Sequence, residues 1–295
     1  MASKHGSHSA ARGDGLRGVS DPSKRQHAKQ EPLGVHPCTR AKELLVGCLP
    51  RIWFDPLPRL PPSHKAILLI RHGQADHNPT NGPSWLVNTV LFRDSALTPL
   101  GIGQAKAARQ LLDQRNWTQH VERVLVSPLS RAIHTAHLVF QQVANLKLEL
   151  RPMLTERAWF VCDRGSTPEV LVERHPFLAE PPWVGLSELG SQWWPDYIEY
   201  EEKLKLRVDD FRESLIECPE RVIACVGHGA FFRTLLGVHL SNATPRWAEL
   251  RGDASIVLRP EWDRLTWAQL AQHAGKLDAS DTNATRTKIE AAGLL

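Results

Sequence analysis

Apolar residues fall along this chain in two alternating rhythms. Short apolar-rich stretches recur at residues 66–70, 121–126, 146–150 and 221–226, continuous at 66–70 and 222–226, the pattern of strands buried in a sheet. Between them the apolar positions move to helical spacing. Thr98 caps a helix with Pro99 at its first position, and Ala105, Ala108, Leu111 and Leu112 form its inner face as far as about residue 116. Ser127-Pro128 opens a second helix, with Ile133, Ala136, Val139 and Phe140 inward. Thr167-Pro168 starts a short helix ending near residue 174. Leu204, Val208, Phe211 and Leu215 define a longer helix across 197–218, and another follows at 230–238. Residues 254–258 and 265–270 read as terminal strands. The polar stretch after His72 and the Pro/Gly/Trp-rich segment 176–195 read as loops. Strands alternating with helices predict a three-layer α/β/α sandwich with a mostly parallel central sheet.

The ends of the chain break both rhythms. Residues 1–40 carry few large apolar side chains and read as disordered. Residues 41–49 have room for a short helix, which Pro50, Pro56, Pro58, Pro61 and Pro62 prevent from extending, and Trp53 and Phe54 are candidates to pin the segment to a surface. We therefore divide the chain into a basic leader (1–62), a catalytic domain (63–275) and a flexible tail (276–295).

Charge sharpens this division. The leader holds ten Lys/Arg against five Asp/Glu, a net of +5, and the rest holds 26 against 27, a net of −1. A nearly neutral body offers no basic face for a phosphate backbone, so no nucleic-acid partner is expected on the folded domain. No apolar run reaches membrane-spanning length, and no membrane association is expected. The five cysteines are odd in number, widely spaced and without a Cys-x-x-Cys pair, which reads as free thiols in a reducing, cytoplasmic setting. The Ser, Lys, Arg and His of the leader also resemble an organellar transit peptide, a reading opposed by Asp14, Asp21 and Glu31.

The candidate chemistry lies just past the strands, where ligands of such sheets bind. Arg71-His72-Gly73 follows the first run, Ser127-Pro128-Leu129-Ser130-Arg131 the second, Glu156 the third, and Gly227-His228-Gly229 the fourth. Two guanidiniums, two imidazoles and a carboxylate suit a phosphoryl group, because each arginine offers paired donors to phosphate oxygens. His72 is the candidate nucleophile, its second ring nitrogen held as a donor by a backbone carbonyl. His228 would stabilise charge on the transferring group. Glu156 would protonate the leaving oxygen and then deprotonate water, with Asp163 as a nearby competitor. Backbone N–H groups at the start of the helix after His228 would add to the anion site. The cationic side chains supply the charge that a metal gives elsewhere, so no cofactor or metal is expected. The remaining histidines read as solvated, and Arg164, Trp193 and Trp194 as loop packing.

These motifs together resemble the histidine phosphatase superfamily, and within it the phosphoglycerate-mutase-like branch. The matching elements are Arg71-His72-Gly73-Gln74 with Asn78, Leu97-Thr98-Pro99-Leu100-Gly101 with Gln104-Ala105, Ser127-x-Leu129-x-Arg131-Ala132-x-x-Thr135-Ala136, and Gly227-His228-Gly229. The resemblance spans roughly residues 64–270. It implies a phosphoglycerate mutase-like fold, phosphorylation of His72, phosphate binding by Arg71, Arg131 and Asn78, and roles for His228 and Glu156 as second histidine and acid. The segment Trp159–Ser166 with Trp193-Trp194 resembles a eukaryotic mutase-like subgroup.

The expected activity is metal-independent phosphomonoester hydrolysis on a small phosphorylated substrate. A phosphomutase on the same site, or a non-catalytic anion-binding scaffold, are the alternatives. With His72 neutral and Glu156 protonated, activity is expected to be bell-shaped in pH. Specificity is assigned to the loops 74–96 and 160–195.

Overall fold

The computed structural model describes residues 60–61, 63–78 and 84–265. The expected disordered leader, the helix at 41–49, the pinning by Trp53 and Phe54, the strand beyond Leu265 and the flexible tail lie outside the described residues. Leu60 is already packed into the core, and its carbonyl accepts from Arg221 Nη2 at 2.8 Å.

Among the described residues, seven strands form one sheet. They are β1 (Lys65–Arg71), β2 (Arg123–Val126), β3 (Lys147–Leu150), β4 (Trp183–Val184), β5 (Val222–Gly227), β6 (Arg246–Leu250) and β7 (Ile256–Leu258), in the order β4-β3-β2-β5-β1-β6-β7. The first five run parallel, and β6 pairs antiparallel with β1 and with β7. The α-helices among the described residues are α1 (Ser84–Leu91), α2 (Pro99–Gln114), α3 (Ser130–Phe140), α4 (Pro168–Arg174), α5 (Glu201–Glu217) and α6 (Gly229–Leu236).

Alternation along β1 builds two cores from one strand. Ala66, Leu68 and Ile70 face α2 and α3, where Ala105, Ala108, Leu112, Ile133, Ala136 and Phe140 meet them. Ile67 and Leu69 face α5 and α6, against Leu204, Val208, Phe211, Phe231 and Phe232. The three-layer sandwich expected from the sequence is thus observed. Among the described residues no helix is long and apolar enough to cross a membrane.

Three elements depart from the expectation. α1 lies in the stretch read as loop. β4 lies in the Pro/Gly/Trp-rich segment, where two residues pair with Leu148 and Glu149 of β3. β6 escapes the apolar-run test because it contains Arg246 and Glu249. Glu249 is nonetheless buried, its charge met by Arg259 and by His64 at 2.8 Å, as a buried carboxylate requires.

The sheet order brings the candidate residues together. β5 lies between β2 and β1, with Val226 opposite both Val126 and Ile70 and Gly227 opposite Arg71. The strands end level. His72 N donates to Gly227 O at 2.9 Å and Ser127 N to Val226 O at 3.0 Å.

Candidate active site

His72 leaves the end of β1 fully buried. Its Nδ1–H donates to the carbonyl of Gly73 at 2.6 Å, leaving Nε2 as the bare nitrogen. The backbone around it is held on three sides. Gly73 N donates to Thr135 Oγ1 (3.0 Å), Asn242 Nδ2 donates to His72 O (2.8 Å), and Gln74 N donates to Gln104 Oε1 (2.8 Å). Glycine is needed here for close approach: a Cβ on Gly73 would stand 2.4 Å from Gly101 O, and one on Gly101 would stand 2.0 Å from Gln74 O.

The His228 ring lies 5.1 Å from that of His72, centroid to centroid, and His228 Nε2 shares a 2.7 Å hydrogen bond with Ser127 Oγ. Burial holds both imidazoles well below their ordinary pKa, and the Arg131 and Arg71 charges push them further down. Both are therefore neutral near pH 7.

Arg131 is fully enclosed. Its Nη1 donates to Cys162 O at 2.9 Å and its Nη2 to Asp163 Oδ1 at 3.2 Å. Arg71 Nη1 donates to Leu240 O at 3.1 Å. The Nε atoms of both arginines, with His228 Nδ1 and His77 Nδ1, are buried without a hydrogen-bond partner in the protein. Buried donors of this kind ordinarily find an acceptor, and a phosphoryl group supplies several.

Glu156 follows β3 and reaches the start of α6, where its carboxylate accepts from Ala230 N (3.0 and 3.2 Å) and Phe231 N (3.3 Å). This corrects the expectation that those N–H groups would serve the anion site, since a carboxylate of the protein already holds the helix terminus. Arg207 of α5 fixes the segment by donating to the carbonyls of Met153, Thr155 and Glu156 while paired with Glu199. Asp163 is buried, and burial raises its pKa to about 6 against the opposing charge of Arg131. Asn78 closes a turn, its Oδ1 accepting from Ala75 N at 2.9 Å.

Glu156, Asp163, His77 and Asn78 line one pocket of about 350 Å³, together with Trp159, Phe160 and Arg233. A larger cavity of about 560 Å³ lies beyond α1, beside Asp94, His134 and His175, and contains none of the candidate residues.

Two further details differ from the sequence reading. The helix after β2 begins at Ser130, because Ser127 serves His228 instead, and the Asp94 carboxylate accepts from Ser130 N at 2.7 Å. Among the described residues, several histidines read as solvated are packed, while His5, His8 and His27 lie outside the described residues. The His77 ring lies 5.8 Å from that of His72, and His137 stacks on Phe177 at 3.6 Å. Burial lowers the pKa of His77, His134 and His137, and that of His175 to about 4. Single histidines in loops and helices carry no sequence signal of burial. The role of Asn242 was equally invisible, as nothing local marks a loop residue that binds a distant carbonyl.

With this geometry established, comparison with known proteins is decisive at the family level. The histidine phosphatase superfamily (branch 1) matches residues 67–272.

The chain belongs to the histidine phosphatase superfamily.

Within this superfamily, the chain is similar to phosphomutase-like protein 3 of Candida albicans, with 25% identity over 203 residues, 63% of this chain and 63% of that relative. The chain thus spans less than two thirds of that protein's length. Among solved structures it is similar to the alpha-ribazole phosphatase of Shigella flexneri (22% identity, TM-score 0.45, 66% of this chain and 95% of that one). It is also similar to the phosphoserine phosphatase of Entamoeba histolytica (21% identity, TM-score 0.41, 65% and 94%).

Proposed function

We propose that this histidine phosphatase superfamily member is a metal-independent phosphomonoester hydrolase acting through a phosphohistidine on His72. One observation carries the reading: the buried His72 ring is committed through Nδ1 to the Gly73 carbonyl, so its Nε2 lone pair is available to phosphorus.

The reaction then runs in two displacements. Nε2 forms a bond to phosphorus as the ester P–O bond breaks, and a carboxyl group gives its proton to the departing alkoxide. Water next attacks the phosphohistidine, the same carboxylate takes the proton, and inorganic phosphate leaves. Arg71, Arg131 and His228 bear the charge of the equatorial oxygens, with Asn78, which lines the pocket beside Glu156, as a further phosphate contact. We assign the proton exchange to Glu156. It lines the pocket and is partly exposed, so it can reload from solvent. Asp163 is enclosed and paired with Arg131 at 3.2 Å, which suits it to orienting that guanidinium.

The test is to mix enzyme with a phosphoryl-labelled aryl phosphate in the presence of EDTA, quench in alkali, and locate the label. Label on His72 with release of phosphate is the expected result. His72→Ala should lose about a thousandfold or more of the turnover. Labelling followed by transfer to a second phosphate ester instead of release would make the protein a mutase. No label on any residue of a protein that binds phosphate would leave the scaffold reading.

A further inference from the structure

Helix α1 is built inside out. Its polar residues turn inward: Asn88 Nδ2 donates to Asp76 O at 2.9 Å and Thr89 Oγ1 to His77 O at 3.4 Å. Its apolar residues Leu86, Val87, Val90 and Leu91 are exposed, Leu91 at 68%. A surface helix of a globular domain ordinarily arranges these faces the other way round. The carbonyls that tether α1 belong to the loop leaving His72, and Thr89 of α1 itself lines the pocket of Glu156 and Asp163.

The surface opposite α1 matches it. Val90 shares a shallow cavity of about 210 Å³ with Trp159, Phe160, Tyr197 and Ile198, and Arg164 is the one charged residue in its lining. Trp159 and Phe160 also line the pocket that holds Glu156 and Asp163. Two exposed aromatic rings are thus common to the pocket of Glu156 and Asp163, where charged and polar residues such as His77, Asn78 and Arg233 also stand, and to an apolar one. Contiguous apolar exposure of this kind marks a binding surface. Its continuity with the pocket indicates a bound molecule that has both characters.

We propose that the outer cavity receives the alcohol portion of the substrate, and that the substrate class is an amphiphilic phosphomonoester, the monophosphate of a bulky alkyl, isoprenoid or aryl alcohol. The proposal rests on the phosphoryl-transfer reading of the inner pocket. A sugar or nucleoside leaving group requires convergent donors and acceptors for its hydroxyls, and the outer cavity answers it mainly with apolar and aromatic side chains.

Binding of methyl-, butyl-, hexyl- and octylphosphonate to the full chain tests this by calorimetry. These compounds cannot be hydrolysed, so the result is independent of turnover. Affinity should climb by up to about fourfold per methylene until the cavity is filled. The climb should flatten in Val90→Ser and in Phe160→Ser, and persist in Leu206→Ser, an exposed position on α5 outside both cavities. A flat series, no binding by any member, or tighter binding of glycerol phosphate than of hexylphosphonate would overturn the proposal and leave the apolar face to a macromolecular partner. Failure of the phosphohistidine reading is recorded separately, by an unlabelled His72 in an enzyme whose affinities still rise with chain length.

Discussion

At the scale of single residues, the proposed nucleophile and the proposed proton carrier are different kinds of group in different surroundings. His72 is dry, neutral and fixed by its own neighbour's carbonyl. Glu156 is partly exposed and lines the adjoining pocket. This division has a kinetic signature. Glu156→Gln should cut kcat for alkyl phosphates by roughly a hundredfold or more, within the usual range for a lost general acid. It should cost much less on p-nitrophenyl phosphate, whose leaving group needs no proton. Equal losses on both esters would transfer the role to Asp163. Asp163→Asn should instead raise KM more than it lowers kcat, because Arg131 would lose its Oδ1 partner at 3.2 Å.

At the scale of elements, α2 and the loop after β1 form one unit. Thr98 Oγ1 accepts from Gly101 N at 3.0 Å to cap α2, and donates to Gln74 Oε1 at 2.9 Å. Thr98→Ala should therefore lower unfolding stability in urea by about 1 kcal/mol. Gly101→Ala is more severe, since its Cβ would enter the space of the Gln74 backbone. The loop must move, and His72 moves with it. We expect Gly101→Ala to lose activity well beyond its loss of stability, as measured by turnover per folded molecule at a temperature where it remains folded.

At the scale of the whole molecule, the buried titratable groups make stability depend on pH in two opposing ways. His72, His77 and His228 have pKa values lowered by burial. Above about pH 6.5 they are neutral in both folded and unfolded chains. Below it the unfolded chain gains protons that the folded one refuses, so stability falls, at most by roughly 1.4 kcal/mol per histidine per pH unit. Asp163, raised to about 6 from an unfolded value of 3.8, acts the other way. Its cost grows as pH rises through that window and is complete above it. Three histidines outweigh one carboxylate, so the urea midpoint should drop on going from pH 7 to pH 5. His77→Gln should flatten that drop and Asp163→Asn should steepen it.

The sequence by itself determined the layered architecture, because strands covered on both faces leave continuous apolar runs and helices covered on one face leave a 3.6-residue period. It also placed His72, Arg131, Glu156 and His228 just after strands, where a parallel sheet collects them. Thr98 and Pro99 marked the start of α2 because capping chemistry is local. The tertiary structure alone decided what depends on partners distant in the chain. β6 can bury Glu249 because its charge is met by Arg259 and His64. Ser127 left the helix terminus to pair with His228, Glu156 took the N–H groups of α6, and Asn242 reached the carbonyl of His72. α1 stood beyond sequence reading for the same reason. Its apolar face turns outward because its polar residues are held by the loop that leaves His72, and no local pattern encodes which side of a helix its neighbours will occupy.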